Sequence, residues 1–196
     1  MGGRSPGRGS RRSRAARCLL TSPASSPRPF LQWRLVSEEQ EFLLKALREA
    51  GDQLLEGLAE LGEPDLRRRP CPDEWSLKEV IGHLRDAQAL ALEQVLAILD
   101  GRPLPHRDLD PLPEERAYRE QDSGALLAEM ARQRRRLMHL LWSLTDDEWR
   151  QAGRHPVRGE VSVVQLVREL AQHDLEHLWQ VRRIKSSASE PQDGIV

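Results

Sequence analysis

Residues 162–184 read SVVQLVRELAQHDLEHLWQVRRI, and the fold is legible from this stretch outward. Ser162 and Gln165 match a capping box, in which the cap hydroxyl accepts from the third helical amide and the third side chain accepts from the cap amide. Behind it, Val163, Leu166, Val167, Leu170, Leu178, Val181 and Ile184 recur at helical spacing, so a helix over about 163–184 carries one apolar face. The same start signal appears at Ser37 with Gln40, Ser76 with Glu79, and Thr145 with Glu148. Three of the four add a hydrophobic staple across the cap: Trp75 with Val80, Leu144 with Trp149, and Val161 with Leu166.

Helix one is expected over about 38–61, burying Phe42, Leu47, Leu54, Leu58 and Leu61, with Gly62 and Pro64 stopping it. Helix two, about 77–99, buries Val80, Leu84, Ala87, Ala91, Val95 and Ile98. Helix three, about 123–144, buries Leu126, Leu127, Met130, Leu137, Leu141 and Leu144, and a short turn follows over 145–150. Strand signals are weak throughout, so the fold class is all-α, a four-helix bundle. The Pro-rich segment 100–121 has no apolar period. Its roughly 20 residues reach about 60 Å when extended, against about 33 Å for a 22-residue helix. Helices two and three can then run parallel across a long crossover, in an up-down-down-up order that sets helix four antiparallel to helix two.

The formal net charge of -1 conceals an asymmetry, because residues 1–35 hold eight basic and no acidic side chains. The remainder is therefore acidic, which argues against nucleic acid as a partner. Residues 1–36, rich in Arg, Ser, Pro and Gly, are expected to be a disordered extension. A transit peptide, a nucleic-acid arm, or upstream sequence included by a wrong start codon compete with an inert extension, and no role is assigned. The bundle is assigned to 37–185 and a flexible tail to 186–196. Only Cys18 and Cys71 are present, which excludes a disulfide framework and a cysteine zinc cluster and fits the cytoplasm. No apolar run approaches the length needed to span a bilayer, so no membrane is expected.

His173 and His177, four apart, stack on the apolar face of helix four. Taken alone, the pair reads equally as core histidines satisfied by hydrogen bonds. His83 changes the weighing. It lies about 10 Å up helix two, and the midpoint of the pair stands at about 14 Å if helix four is antiparallel, against about 19 Å if parallel. Antiparallel packing thus gathers three imidazoles at one height.

The strings DEWSLKEVIGHLRD (73–86) and HDLEHLWQV (173–181) resemble the two signature segments of the DinB/YfiT-like superfamily, and His155-Pro156 with Gly159 resembles its run-in to the last helix. The resemblance covers about 37–184. It implies a four-helix bundle with the long crossover between helices two and three, often dimeric, binding a divalent metal through three histidines. Carried over by position, these are His83, His173 and His177. Relatives include metal-dependent hydrolases and enzymes that transfer low-molecular-weight thiols such as bacillithiol or mycothiol.

Three neutral imidazoles leave a divalent ion at least one open position, the arrangement of catalytic rather than structural zinc. A water or a thiol held there is acidified and can attack an electrophilic centre. Zinc or nickel is the expected ion, with a low-molecular-weight thiol as a possible co-substrate. The expectation is a metal-dependent thiol S-transferase or hydrolase acting on a small molecule, as a homodimer. The alternative is a non-catalytic metal- or small-molecule-binding bundle for stress response.

Glu79, Asp86 and Glu169 are candidates to orient the ligands, although a solvated helix-face carboxylate is the more ordinary reading of each. Gln180 could bond a bound water or substrate, or be a polar residue at the bundle end. His106, His139 and His155 are expected at the surface, and Arg134, Arg135 and Arg136 are expected as a solvated face. Cys71 lacks a partner for nucleophilic chemistry, and no general base is identifiable.

Overall fold

The computed structural model describes residues 37–189, so the expected extension over 1–36 and the end of the tail, 190–196, lie outside the described residues. Four long helices carry the domain: α1 Glu38–Ala59, α3 Leu77–Leu99, α5 Ser123–Ser143 and α7 Val163–Ser189. Between them sit α2 Glu63–Arg67, α4 Leu112–Glu115, a 3-10 turn at Tyr118–Glu120, and α6 Asp146–Arg150. All four capping boxes form, at Ser37, Ser76, Thr145 and Ser162, because each needs only residues three apart.

The buried apolar residues fall into two clusters stacked along the bundle, and they reveal the direction of each helix. One cluster joins the start of α1 (Leu43, Leu47), the ends of α3 (Val95, Ile98) and α5 (Leu137, Leu141), and the start of α7 (Val163, Leu166). The other joins the end of α1 (Leu54, Leu58), the starts of α3 (Leu77, Val80, Leu84) and α5 (Leu126, Met130), and the end of α7 (Val181, Ile184). Therefore α1 and α7 run one way and α3 and α5 the other, the expected up-down-down-up order. The staple residues Leu144, Trp149, Val161 and Leu166 all join the first cluster, and Trp75 packs on the second with Val80.

Several details differ from the sequence reading. Phe42 is 69% exposed, because Phe42, Leu43 and Leu44 are consecutive, a helix cannot turn all three inward, and Leu43 and Leu44 take the core. Leu61 lies past the end of α1 and is half-buried, as are Ala91 and Leu127. Pro64 does more than stop a helix: it occupies the first turn of α2, where its missing N–H costs nothing. An antiparallel hairpin of β1 Ala152–His155 and β2 Gly159–Ser162 precedes α7 where no strand was expected. Four residues per strand are too few for a readable alternation, and the turn depends on Gly159 at φ 80°. The last helix continues past Ile184 to Ser189, so the start of the expected tail is helical; no Gly or Pro interrupts it before Pro191.

Arg134 is the largest correction. Expected on a solvated face with Arg135 and Arg136, it is instead 7% exposed. Its guanidinium donates to the buried carboxylate of Asp174 on α7 and, at 2.9 Å, to the Leu47 carbonyl of α1. Gly51 of α1 faces this guanidinium. One side chain thereby ties α1, α5 and α7 together at a level between the two apolar clusters.

Candidate metal centre

Antiparallel α3 and α7 bring His83, His173 and His177 to one point, as their heights along the helices required. The Nε2 atoms of His83 and His173 are 2.9 Å apart, and those of His173 and His177 are 3.1 Å apart. One donor atom from each ring can be chosen so that all three lie within 4.8 Å of one another. His83 is 4% exposed and the other two are half-buried. Burial first, then the charges of His177 and His173, hold the His83 pKa down at about 3. Burial and then His177 lower His173 to about 4, and burial lowers His177 as well. All three rings are neutral near pH 7, the form in which imidazole is a ligand.

The tautomer of His177 is set by Gln180, whose Oε1 accepts from Nδ1 at 2.7 Å, leaving a lone pair on Nε2. Gln180, a candidate contact for a bound water or substrate, is placed by one helical turn behind the His177 ring. The three carboxylates considered as orienting groups are all engaged elsewhere. Glu79 receives Arg69 and the Ser76 cap, Glu169 receives Arg158, and Asp86 receives Tyr118, Arg116 and Arg85. Nδ1 of His83 and of His173 is buried and makes no hydrogen bond among the described residues. The backbone of Leu109, in the crossover, nevertheless favours the charged form of His83.

The 2.9 and 3.1 Å spacings are hydrogen-bond distances that an Nε2–H of His173 can fill, whereas with lone pairs on all three Nε2 atoms the rings repel unless a cation shares them. Imidazole nitrogens about 2.0–2.1 Å from zinc stand roughly 3–3.4 Å apart on the same ion. The 3.1 Å spacing falls in that range, the 2.9 Å spacing lies just below it, and the three donors lie within 4.8 Å of one another. The donor set could therefore hold one divalent ion.

Trp75 closes one side of the cluster, with its ring 4.8 Å from that of His83 and stacked at 8° on that of His177. Its sequence signal was a helix staple, which hid this second contact. Elsewhere on α3, Tyr118 of the crossover is fully buried and bonds Asp86, and Gly82 permits this because a Cβ would come within 2.5 Å of the tyrosine ring. Of the remaining histidines, His106 and His139 are exposed as expected, but His155 is only 4% exposed. Its Nδ1 accepts from the Val157 and Arg158 amides at 3.2 Å each, which folds the hairpin turn.

The sequence profile of the DinB superfamily matches residues 46–181. The chain belongs to the DinB superfamily. It is similar to the uncharacterized protein YuaE of Bacillus subtilis, with 24% identity over 139 residues that cover 64% of this chain and 86% of that protein. Among solved structures it resembles YfiT of Bacillus subtilis, described as a probable metal-dependent hydrolase with an unusual four-helix bundle topology. That match has a TM-score of 0.69 at 17% identity, over 84% of this chain and 94% of YfiT. It also resembles a mycothiol-dependent maleylpyruvate isomerase, with a TM-score of 0.63 at 14% identity, over 72% of this chain and 60% of the isomerase. At these identities the structural likeness establishes the bundle fold.

Proposed function

We propose that His83, His173 and His177 hold one divalent ion, zinc or nickel, and that the protein is a cytoplasmic metal-dependent enzyme acting on a small molecule, as a hydrolase or as a low-molecular-weight thiol transferase. The observation that carries this reading is the convergence of three Nε2 atoms from two helices, with the opposite nitrogen of His177 already committed to Gln180. An ion there supplies Lewis acidity and, with only three protein donors, room for a further ligand. Each side chain has a definite part in this reading. The rings stay neutral because they are buried, Gln180 fixes one tautomer, and Trp75 keeps water from one side. Hydrolysis is the chemistry named for YfiT, and the mycothiol dependence of the similar isomerase supports a low-molecular-weight thiol as co-substrate.

A homodimer is part of the proposal. Phe42, Leu175 and Trp179 are 69%, 41% and 68% exposed and share a groove of about 410 Å³ between α1 and α7. Lys45 and Arg182 with Glu49 rim it, and a rim with both signs complements itself across a twofold axis.

The test is elemental analysis of the purified protein, then turnover assays with ester substrates and with thiol cofactors plus electrophiles, with and without chelator. One ion per chain with chelator-sensitive turnover is the expected result. One ion per chain with no turnover on any substrate would favour the non-catalytic binding bundle. Absence of stoichiometric metal ends the proposal.

A further inference from the structure

A groove of about 180 Å³ runs between α3 and α7 directly beside the histidines, and His173 forms part of its wall. Leu90 and Ala91 from α3, Leu166 and Leu170 from α7, and Leu109 from the crossover form the rest of the apolar lining. The two polar side chains along it are already engaged. Gln94 donates to the Pro105 carbonyl at 2.9 Å, and Glu169 accepts from Arg158.

A wall made mostly of leucine and alanine, with the Gln94 amide and one Glu169 oxygen already engaged, offers a ligand chiefly burial. A polar chain entering it would lose its hydration without compensation, whereas an aliphatic chain would gain from leaving water. The volume equals about six water-sized groups at roughly 30 Å³ each, and a methylene is of comparable size. We infer that the groove is the substrate's specificity pocket and takes an aliphatic group of about four to six carbons, with the reactive polar end at the histidine cluster. Anionic groups at this position are disfavoured by the apolar wall and by the carboxylate of Glu169. The inference rests on the metal reading, because the histidine end of the groove has no other purpose for a polar group.

The test uses the full chain loaded with zinc and calorimetric titration with hydroxamates of two, four, six and eight carbons, whose head groups chelate zinc whatever their tails. Affinity is expected to rise about fourfold per added methylene up to six carbons and then level off. In Ala91→Phe, which fills the groove, the series should be flat while acetohydroxamate binds as before. Leu90→Thr, which adds no bulk, should lower the gain per methylene and serves if the first variant does not fold. A flat series in the unaltered protein, with acetohydroxamate bound, overturns the groove assignment and leaves the metal reading intact. A chain-length dependence unchanged in Ala91→Phe also overturns it, by placing the tail elsewhere. If no zinc is retained and no hydroxamate binds, the metal reading fails and takes the inference with it.

Discussion

Two groups of histidines lie in this bundle, and only one suits a metal. His83, His173 and His177 turn their Nε2 atoms toward a common point, and two of their Nδ1 atoms make no hydrogen bond among the described residues. His106 and His155 also have rings in contact, with centroids 4.9 Å apart, and His155 is as buried as His83. Yet Nδ1 of His155 is occupied by two backbone amides, and its neighbour is exposed. Burial and proximity are common to both groups. Where the ring nitrogens point, and whether a protein group already uses them, separates a ligand set from a structural histidine.

Substitution draws that contrast most sharply. His173→Ala should abolish stoichiometric metal in elemental analysis while circular dichroism shows the helix content retained, since the leucine clusters supply most of the burial energy. His155→Ala should retain the metal and instead lose roughly 1–3 kcal/mol in denaturant unfolding, the cost of two backbone hydrogen bonds. An unfolded His173→Ala protein would make the metal structural and erase the distinction.

The second effect is on pH. Burial holds the folded pKa values of His83 and His173 at about 3 and about 4, below the ordinary 6.5. Between those limits the unfolded chain binds more protons than the folded one, so the metal-free protein should lose stability as pH falls below about 6.5. Replacing His83 and His173 together by Gln should flatten that slope in urea titrations at pH 7 and pH 5. His177 and His155 are also lowered by burial, and they should contribute to any slope that remains.

Gln180→Ala should weaken metal affinity by about 10- to 100-fold in competition with a chromogenic chelator, with little change in unfolding midpoint, because it frees the tautomer of one ligand. Smallest of all, His106→Ala should change stability by no more than about 0.5 kcal/mol and leave metal content untouched, as befits an exposed ring. A metal loss in that variant would join the two histidine groups into one functional unit.

What was legible in the sequence was local or followed from local geometry. The four caps are written in residues three apart, and the histidine cluster followed from a four-residue spacing plus helix rise. Arg134 was misread because a run of three arginines looks like a wet face. Its burial depends on Asp174, forty positions away, and on the Leu47 carbonyl of α1, and neither is visible in the run itself. The same applies to Glu79, which reads as a helical neighbour of His83 but is drawn to Arg69 on the connection before α3. Sequence spacing says which groups a helix brings near; the surrounding chain decides which partner each one takes.

The proposed ligands His83 and His173 are ninety residues apart, on the second long helix and the last. A chain still emerging from the ribosome presents the first of these histidines well before the others exist, so tight capture of an ion would wait until α7 docks. An ion held as proposed would clamp these two helices, and unfolding that separates them would first release it, raising stability with metal concentration. Metal occupancy would then report a finished domain, and a cell short of the metal would hold the same polypeptide in a more readily opened form.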